Sequence, residues 1–518
     1  MKSARGRIVQ ATGLLMALQV VEQVTGLLKQ VLIAAAFGIS ATMDSYVVAI
    51  SVVGLILLWV RLPVRETLIP LFRYNLARCG EETSWRHASI MLNNFSIALI
   101  FIVLAGEILA PYIVNIVALG FNEEGQSLAT SLARITMPIV AFIGMGTLLA
   151  QMSYSYEKFF RPGIVGTVNN LIVLLALLTA GSMYGIHGLA IAVVIGAGCE
   201  FLFQLPLLWH KRKLYSFEVN LRHPEMLQMG KLSFPLLIST GGNELARITD
   251  RMFASLLSAG SLSALAFAHR PISVLVDFLI NPLLQAVFPH FAKLSAEQDF
   301  ATLSKELFYY LRGVLFFTLP AAIGTMLTAE AIVKAFYQRG AFDEAAVQLT
   351  SQALLCYAIG FPAVAIMRVL RRTFFGLKDT WTPTKIALLR IAIKIVLSWI
   401  LIRYFAHAGI ALAESLSLIA NAVLLFCFLP KEIKRQEGAR TLVAFAKTLG
   451  SCTIMGIIVY LTKGMLGVRV GPTVDLALVV FVGVAVYGLI ASFLQAQTVG
   501  ALLRVVTELG SKYRPRSS

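Results

Sequence analysis

The chain has 518 residues, of which 58% are hydrophobic and only 14% are charged, and its mean hydropathy is +0.79. A water-soluble protein of this composition would aggregate, so the composition excludes the ordinary soluble classes and predicts a polytopic membrane protein. Nucleic-acid-binding proteins also reach a net charge such as the +17 found here, but the positions of the basic residues indicate membrane orientation instead.

Apolar runs of spanning length follow one another along almost the whole chain. Because about 20 apolar residues cross the hydrocarbon core as one helix, they predict an all-α polytopic fold with about fourteen transmembrane helices. In chain order the predicted helices cover residues 11–37, 43–62, 88–118, 127–154, 163–184, 187–209, 229–257, 261–289, 306–335, 346–374, 384–404, 408–430, 441–464 and 472–497.

Basic residues are concentrated in every second connection between these helices. The other connections, such as 39–43 and 121–126, are short and contain no Lys or Arg. Because Lys- and Arg-rich loops stay in the cytoplasm, both termini are predicted to be cytoplasmic, which requires an even number of helices. The basic positions are Arg73, Arg78, Arg86, Lys158, Arg161, Lys211, Arg212, Lys213, Lys293, Lys305, Arg371, Arg372, Lys378, Lys431, Lys434, Arg435, Lys512, Arg514 and Arg516.

An internal repeat relates two parts of the chain. Residues 68–77 resemble residues 287–296, and at the same offset of 219 residues Asp44 corresponds to Ser263. The offset spans six helices, so both copies enter the membrane in the same orientation and form two lobes in a parallel pseudo-repeat. The predicted domains are therefore an N-terminal lobe at 1–221 (helices 1–6), a C-terminal lobe at 222–435 (helices 7–12), and helices 13 and 14 with a basic cytoplasmic tail at 436–518.

Predicted helix 1 carries a polar stripe. Glu22 and Lys29 share one helix face, with Gln23 beside it. A polar stripe on a spanning helix faces a cavity or a partner helix, so these residues are candidate cavity residues, and a structural Glu–Lys pair between helices is the alternative. Asp44, at the outer end of predicted helix 2, is interpreted either as a helix N-cap or as a functional carboxylate.

The other end of predicted helix 2 carries two arginines around a proline. Pro63 is expected to interrupt the helix and to open backbone groups toward a cavity. Arg61 is a candidate substrate-binding cation, whereas snorkelling of Arg61 and Arg65 to the cytoplasmic surface is the alternative.

Predicted helices 7 and 8 hold a second group of charges. The spacing in helix 7 predicts a largely self-neutralising cluster, and its polar residues are Asn243, Glu244, Arg247, Asp250 and Arg251. In helix 8, Arg270 has no acidic residue one turn away, and Asp277 follows two turns later. A cation at such depth costs several kcal/mol, so Arg270 is the best candidate for binding an anion, and its planar fork suits a diphosphate.

Several motifs of enzymes do not occur in the sequence. There is no Gly-rich loop ending in Gly-Lys-Ser/Thr, no His, Cys and carboxylate cluster at metal spacing, and no nucleophile motif. The sequence therefore predicts a transporter without a cofactor or metal, and not an enzyme.

Four stretches together resemble the MurJ/MviN lipid II flippases of the MOP exporter superfamily. The resemblance runs from helix 1 to about helix 12. The residues that carry it are Asn243, Asp250, Arg251, Ala254–Leu256, Gly260–Leu265, Ala268, Arg270 and Pro289, then Phe336–Phe342, then Tyr357–Pro362 with Gly376–Pro383.

The resemblance implies alternating access by two lobes around a cationic cavity that holds the diphosphate-sugar head of an undecaprenyl-linked intermediate. It also implies an apolar groove for the prenyl tail between the last two helices, and a location in the bacterial cytoplasmic membrane. Arg270 matches the cavity arginine of helix 8, Lys29 stands where the second helix-1 arginine is expected, and Asp44 matches the acidic residue that opens helix 2.

The chain departs from the family pattern at two expected cations. Gln23 replaces the first helix-1 arginine, and residues 53–57 contain no arginine, so that Arg61 stands about one turn further on. The sequence therefore predicts a flippase for lipid II or a related polyprenyl-diphosphate-linked unit of a capsule or exopolysaccharide. Envelope-synthesis glycosyltransferases or a polymerase are candidate partners, and nucleic acid is not. The alternatives are a MATE-like cation-coupled exporter and a non-transporting scaffold for polysaccharide synthesis.

Overall fold

The computed structural model describes residues 4–220, 244–281, 299–434, 438–466 and 471–494, with isolated residues at 223–224, 230–231, 284, 291, 294 and 297. The described residues form helices and contain no strand, which confirms the all-α prediction. The helices are α1 (Ala4–Phe37), α2 (Ala41–Arg78), α3 (Gly80–Val117), α4 (Glu123–Thr136), α5 (Ile139–Ser155), α6 (Phe160–Gln204), α7 (Pro206–His210), α8 (Ser261–Leu275), α9 (Phe300–Leu327), α10 (Ala329–Tyr337), α11 (Glu344–Gly376), α12 (Trp381–Phe428), α13 (Lys431–Lys434), α14 (Gly438–Leu466) and α15 (Pro472–Leu494).

Within the described residues, twelve helical segments are long and apolar enough to cross a membrane. Two long helices are each divided by one residue with non-helical backbone angles, Gly185 in α6 and Ala406 in α12. These residues lie where the sequence separates predicted helix 5 from 6 and predicted helix 11 from 12. Predicted helix 7 is described only from residue 244 onward, and each other predicted helix has a counterpart, so the multi-spanning architecture is confirmed.

The expectation that Pro63 interrupts predicted helix 2 is wrong. α2 continues through Pro63 and Pro70 to Arg78. Spanning helices tolerate proline, because neighbouring groups and small backbone adjustments satisfy the freed carbonyl. Predicted helix 4 corresponds to one candidate span, Glu123–Ser155, in which a two-residue turn at Met137 and Pro138 separates α4 from α5.

Large apolar side chains cover much of the surface of the helices. Phe101, Ile108 and Phe493 are 72%, 70% and 84% exposed. Exposed apolar area on this scale would be costly in water, whereas lipid hydrocarbon solvates it. The surface therefore agrees with a location within a bilayer.

The chain forms two compact units, which are described separately. The first unit comprises Met1–Ser263 and Arg339–Asp343, and the second comprises Ala264–Gln338 and Glu344–Ser518. The core of the first unit gathers apolar residues of α2, α3 and α5 around Trp85. In the second unit, Tyr487 of α15 donates a hydrogen bond to the Phe316 carbonyl of α9 at 2.7 Å, within a core shared with α14. The lobe boundaries at residues 221 and 435 stay a prediction.

The short segment 339–343 belongs to the first unit because it packs against the end of α1. The Ala341 N–H donates to the Ala35 carbonyl at 2.8 Å. Gly38 and Gly340 have φ angles of +57° and +58°, and a Cβ at Gly340 would lie 2.3 Å from the Ala35 oxygen. Only glycine fits this backbone and this approach. Packing therefore explains the glycine in the sequence Arg-Gly-Ala-Phe at 339–342, which is part of the stretch Phe336–Phe342.

Residues 215–220, termed the strap, lie along the N-terminal half of α3. The Asn94 side chain donates to the Asn220 carbonyl at 2.6 Å and accepts from the Asn220 N–H at 3.1 Å. The Asn93 amide donates to the Glu218 carbonyl at 2.9 Å. Arg86 pairs with the Glu218 carboxylate at 3.0 Å, which lowers the pKa of that carboxyl group. Two asparagine side chains thus hold the strap by its backbone, and Arg86 adds a contact with the Glu218 side chain.

Candidate functional site

α1 presents its polar stripe to α6 in the first unit. Glu22, Gln23 and Lys29 are all partly buried. The Asn170 side chain of α6 donates to the Glu22 carbonyl oxygen at 3.2 Å. The Glu22 carboxylate lies over Gly166, where an added Cβ would be 2.1 Å from Oε1. A glycine in α6 therefore makes room for a carboxylate that would otherwise be excluded from the helix contact.

Glu200 of α6 connects the charges that the sequence analysis considered separately. It hydrogen-bonds with Asn169 and interacts electrostatically with Arg61, Glu22 and Lys29. The first unit thus brings both of its candidate cations near two carboxylates, although Arg61 itself is exposed. The sequence analysis missed Glu200, and the available signal was a carboxylate in the middle of an apolar spanning run.

Asp44 is almost completely buried, with 2% of its surface exposed. Its carboxylate accepts hydrogen bonds from the Gly260 N–H at 2.6 Å and from the Ser263 N–H at 2.7 Å, at the start of α8. The N-cap of α2 is Ser40, whose hydroxyl accepts from the Met43 N–H. The interpretation of Asp44 as the cap of its own helix is therefore wrong, because its carboxylate binds the start of another helix.

The helical stretch 244–255 contains the described part of the predicted helix-7 cluster. Arg247 donates to Glu244 at 2.8 Å, which is the pairing that their spacing predicts. Asp250 and Arg251 are partly buried. Asn243 lies outside the described residues. The Glu244–Arg247 pair agrees with the predicted self-neutralising cluster, and the pairing of Asp250 and Arg251 stays a prediction.

Arg270 lies in α8 of the second unit and is partly buried. It interacts electrostatically with Tyr337 of α10, while the preceding residue, His269, packs edge to face on Tyr357 of α11 at 5.4 Å between ring centroids. Asp277 accepts a hydrogen bond from the Asn281 amide at 2.8 Å. Arg270 and the two cations of α1 and α2 belong to different units, so their common cavity stays a prediction.

α11 and α12 carry a second group of cations that the sequence analysis did not select. We term Arg368, Arg371, Arg390 and Lys394 the basic ladder. Arg390 and Lys394 are 7% and 2% exposed, and Arg368 and Arg371 are partly buried. The two helices pack against each other.

Two carboxylates accompany the basic ladder. Glu414, in the second half of α12, pairs with Lys394 at 2.6 Å and with Arg390 at 3.4 Å. Arg368 donates to the Asn281 side chain, which in turn donates to Asp277. Arg371 interacts electrostatically with both Arg368 and Arg390. Among the residues that the structure describes, the ladder therefore combines four cations with two carboxylates.

Comparisons with known proteins give consistent results. The family model described as "Lipid II flippase MurJ" matches residues 33–481. The lipid II flippase MurJ of Burkholderia cenocepacia is 25% identical over 442 residues, which cover 84% of this chain and 86% of that protein.

Two solved structures share the fold. A lipid II flippase MurJ in an inward closed conformation matches with a TM-score of 0.80 and 22% identity, over 94% of this chain and 99% of that one. An inward-facing multidrug resistance MATE family transporter of the MOP superfamily matches with a TM-score of 0.68 and 14% identity, over 82% of this chain and 95% of that one.

Proposed function

Because the chain belongs to the lipid II flippase MurJ family, we propose that it moves lipid II or a related polyprenyl-diphosphate-linked saccharide across the membrane by alternating access. It is a multi-pass protein of the bacterial inner membrane. The observation that carries the proposal is the family match over residues 33–481, which includes almost all the described spans. The related Burkholderia protein, named a lipid II flippase, supports the same substrate class.

The substrate-binding residues of this proposal are Arg270, Lys29 and Arg61. The diphosphate carries the fixed negative charge of such a substrate, and guanidinium groups bind it through paired hydrogen bonds. Glu22, Gln23, Glu244, Arg247, Asp250 and Arg251 are proposed polar or gating residues of the same cavity, together with Asn243. Asp44 is proposed to set the geometry of the start of α8, because its carboxylate holds two backbone N–H groups there. Arg270 lies further along the same helix.

Helices α14 and α15 are proposed to provide the apolar groove for the prenyl tail. Residues 453–465 of α14 and 476–494 of α15 contain one charged residue, Lys463. Large apolar side chains such as Tyr460 and Phe481 are exposed on these helices, at 70% and 72%. Lipid hydrocarbon is as apolar as this surface, so van der Waals packing, not hydrophobic burial, would hold the tail there. A long prenyl tail therefore binds to such a surface without specific polar contacts.

Both termini are proposed to be cytoplasmic, because the basic connections alternate with neutral ones. In a variant without the five native cysteines, a cysteine introduced at the exposed Glu123, which begins α4, is expected to react with an impermeant maleimide in intact cells. A cysteine at Arg212, which is also exposed, is expected to react only after the membrane is permeabilised. The opposite labelling pattern would contradict the proposed topology and would mean that the cavity opens to the other side of the membrane.

A MATE-like exporter is the weaker alternative. The MATE structure resembles this chain in fold, but with a lower TM-score than the MurJ structure has. The transported ligand of the proposal is an anion, which the candidate cations Arg270 and Lys29 suit better than they suit a cationic drug. Envelope-synthesis glycosyltransferases or a polymerase are proposed partners, because they would produce or consume the lipid-linked saccharide.

The test of the proposed function is the transport activity of Arg270 variants. We expect Arg270→Ala to abolish the appearance of the lipid-linked saccharide on the outer face while the protein level is unchanged. Arg270→Lys should recover only part of the activity, because an ammonium group does not reproduce the bidentate contact. Arg403→Gln is the matched control, since Arg403 is exposed and stacks on Trp399 at 4.4 Å.

The double variant Arg270→Ala/Asp277→Ala separates substrate binding from a structural ion pair. If the two residues stabilise each other, each single variant loses a few kcal/mol of stability and the double variant regains both stability and transport. A stable, inactive single variant that the double change does not restore supports substrate binding. Full transport by Arg270→Ala would refute the cationic-cavity mechanism and favour the non-transporting scaffold.

A further inference from the structure

The basic ladder lies at graded depths along two adjacent helices of the second unit. α11 ends at Gly376 and α12 begins at Trp381 after a short turn. At 1.5 Å per residue, Arg371 and Arg368 lie about 8 and 12 Å from the end of α11. Arg390 and Lys394 lie about 14 and 20 Å from the start of α12. The cations therefore extend from one end of the helix pair to about the middle of a bilayer.

The ladder concentrates positive charge where charge is expensive. Arg371 lies within electrostatic range of Arg368 and Arg390, which are both cations. Arginine stays protonated in proteins, so this repulsion is permanent. Two carboxylates, Glu414 and Asp277, compensate part of it. Charged side chains at membrane depth mark substrate and ion paths. Among the described residues, the cations of this cluster outnumber its carboxylates, which suits a path for an anion.

Glu414 has the position expected of an internal counter-ion. Its two oxygens contact the two deepest cations, Lys394 at 2.6 Å and Arg390 at 3.4 Å. A carboxylate and a phosphate present similar oxygen pairs to a guanidinium group. A diphosphate can therefore replace Glu414 at these cations, provided that the carboxylate moves away or becomes protonated.

We propose that the basic ladder of α11 and α12 is a second diphosphate-binding site of this chain, with Glu414 as the counter-ion that the substrate displaces. The site would guide the diphosphate of the lipid-linked saccharide from one end of the helix pair to mid-membrane. The inference rests on the proposed function, because the anion is the head group of the same substrate.

The test measures the affinity of the purified full-length protein for undecaprenyl diphosphate in detergent. Charge-assisted hydrogen bonds to a phosphate are strong, so Arg368→Gln and Arg371→Gln are each expected to raise the dissociation constant about tenfold or more. Arg403→Gln on the exposed face of α12 is expected to leave it unchanged. Unchanged affinity in both ladder variants, with binding intact in the unmodified protein, would overturn the ladder site and leave the proposed function standing.

A second variant separates binding from a purely structural role. Glu414→Gln removes the competing carboxylate, so undecaprenyl diphosphate is expected to bind more tightly and to raise the melting temperature by more than it does in the unmodified protein. A structural triad predicts instead a lower melting temperature with no gain in affinity, which would contradict the counter-ion role. Absence of any diphosphate binding to the unmodified protein would contradict the proposed function itself.

Discussion

Removal of the Asp44 carboxylate is expected to destabilise the protein strongly. In Asp44→Ala, the buried N–H groups of Gly260 and Ser263 lose their acceptor, at about 1–3 kcal/mol each. The favourable interaction of a carboxylate with a helix N-terminus adds about 0.3–2 kcal/mol. We therefore expect a loss of about 2–8 kcal/mol in the free energy of unfolding. Asp44→Asn keeps one oxygen acceptor and should lose less.

The assay is thermal and chemical unfolding of the purified variants in one detergent. Asp299→Ala is the matched control, because Asp299 is exposed and its side chain accepts one backbone hydrogen bond, from the Thr302 N–H. Loss of such an exposed cap costs about 1 kcal/mol. If Asp44→Ala is no less stable than Asp299→Ala, the buried carboxylate does not hold the start of α8 and the reasoning is refuted. A stable Asp44→Asn variant without transport would instead assign Asp44 a gating role.

Three further predictions concern packing. Gly340→Ala is expected to lower the free energy of unfolding by several kcal/mol, because the new Cβ would lie 2.3 Å from the backbone of α1. Gly80→Ala is the control, since Gly80 has a φ of +78° and open space around it, and it should lose only the left-handed backbone cost of about 1–2 kcal/mol. Equal melting temperatures of the two variants would contradict the close approach at Gly340. Gly488→Trp fills open space on α15 and should block transport at an unchanged protein level, so unaffected transport would argue against the prenyl groove. Asn94→Ala should expose the strap to protease, because the Asn220 backbone loses both of its hydrogen bonds to α3, and unchanged cleavage would contradict this role.

The sequence predicted the helices well because lipid imposes a strong pattern. A spanning run must be apolar over about 20 residues, and even the divisions at Gly185 and Ala406 lie at the predicted boundaries. The continuity of α2 through Pro63 was not predictable by the same reasoning, since the usual cost of proline in a helix is reduced where neighbouring groups satisfy the backbone.

The contacts of the charged residues were far less predictable. Spacing within one helix identified the Glu244–Arg247 pair correctly. It could not identify the contact of Asp44 with Gly260, the contact of Arg368 with Asn281 or the position of Glu200, because these depend on which helices pack together. Arg390 and Lys394 were visible as a basic pair one helical turn apart in a spanning run. Their shared partner, Glu414, lies beyond the division of α12 at Ala406.

The basic ladder also gives a physical reason why the chain can lack two of the cations that are expected in its family. Gln23 and residues 53–57 lack two expected arginines in the first unit, while Glu200 and Glu22 lie near the cations that remain there. The diphosphate of the proposed substrate needs compensating positive charge, and the described part of the second unit contributes the four cations of the basic ladder. Restoring a cation with Gln23→Arg should therefore improve transport more in a ladder-deficient Arg368→Gln background than in the unmodified protein. Equal effects in the two backgrounds would show that the two sets of cations act independently, and would separate the ladder from the loss of the helix-1 arginine.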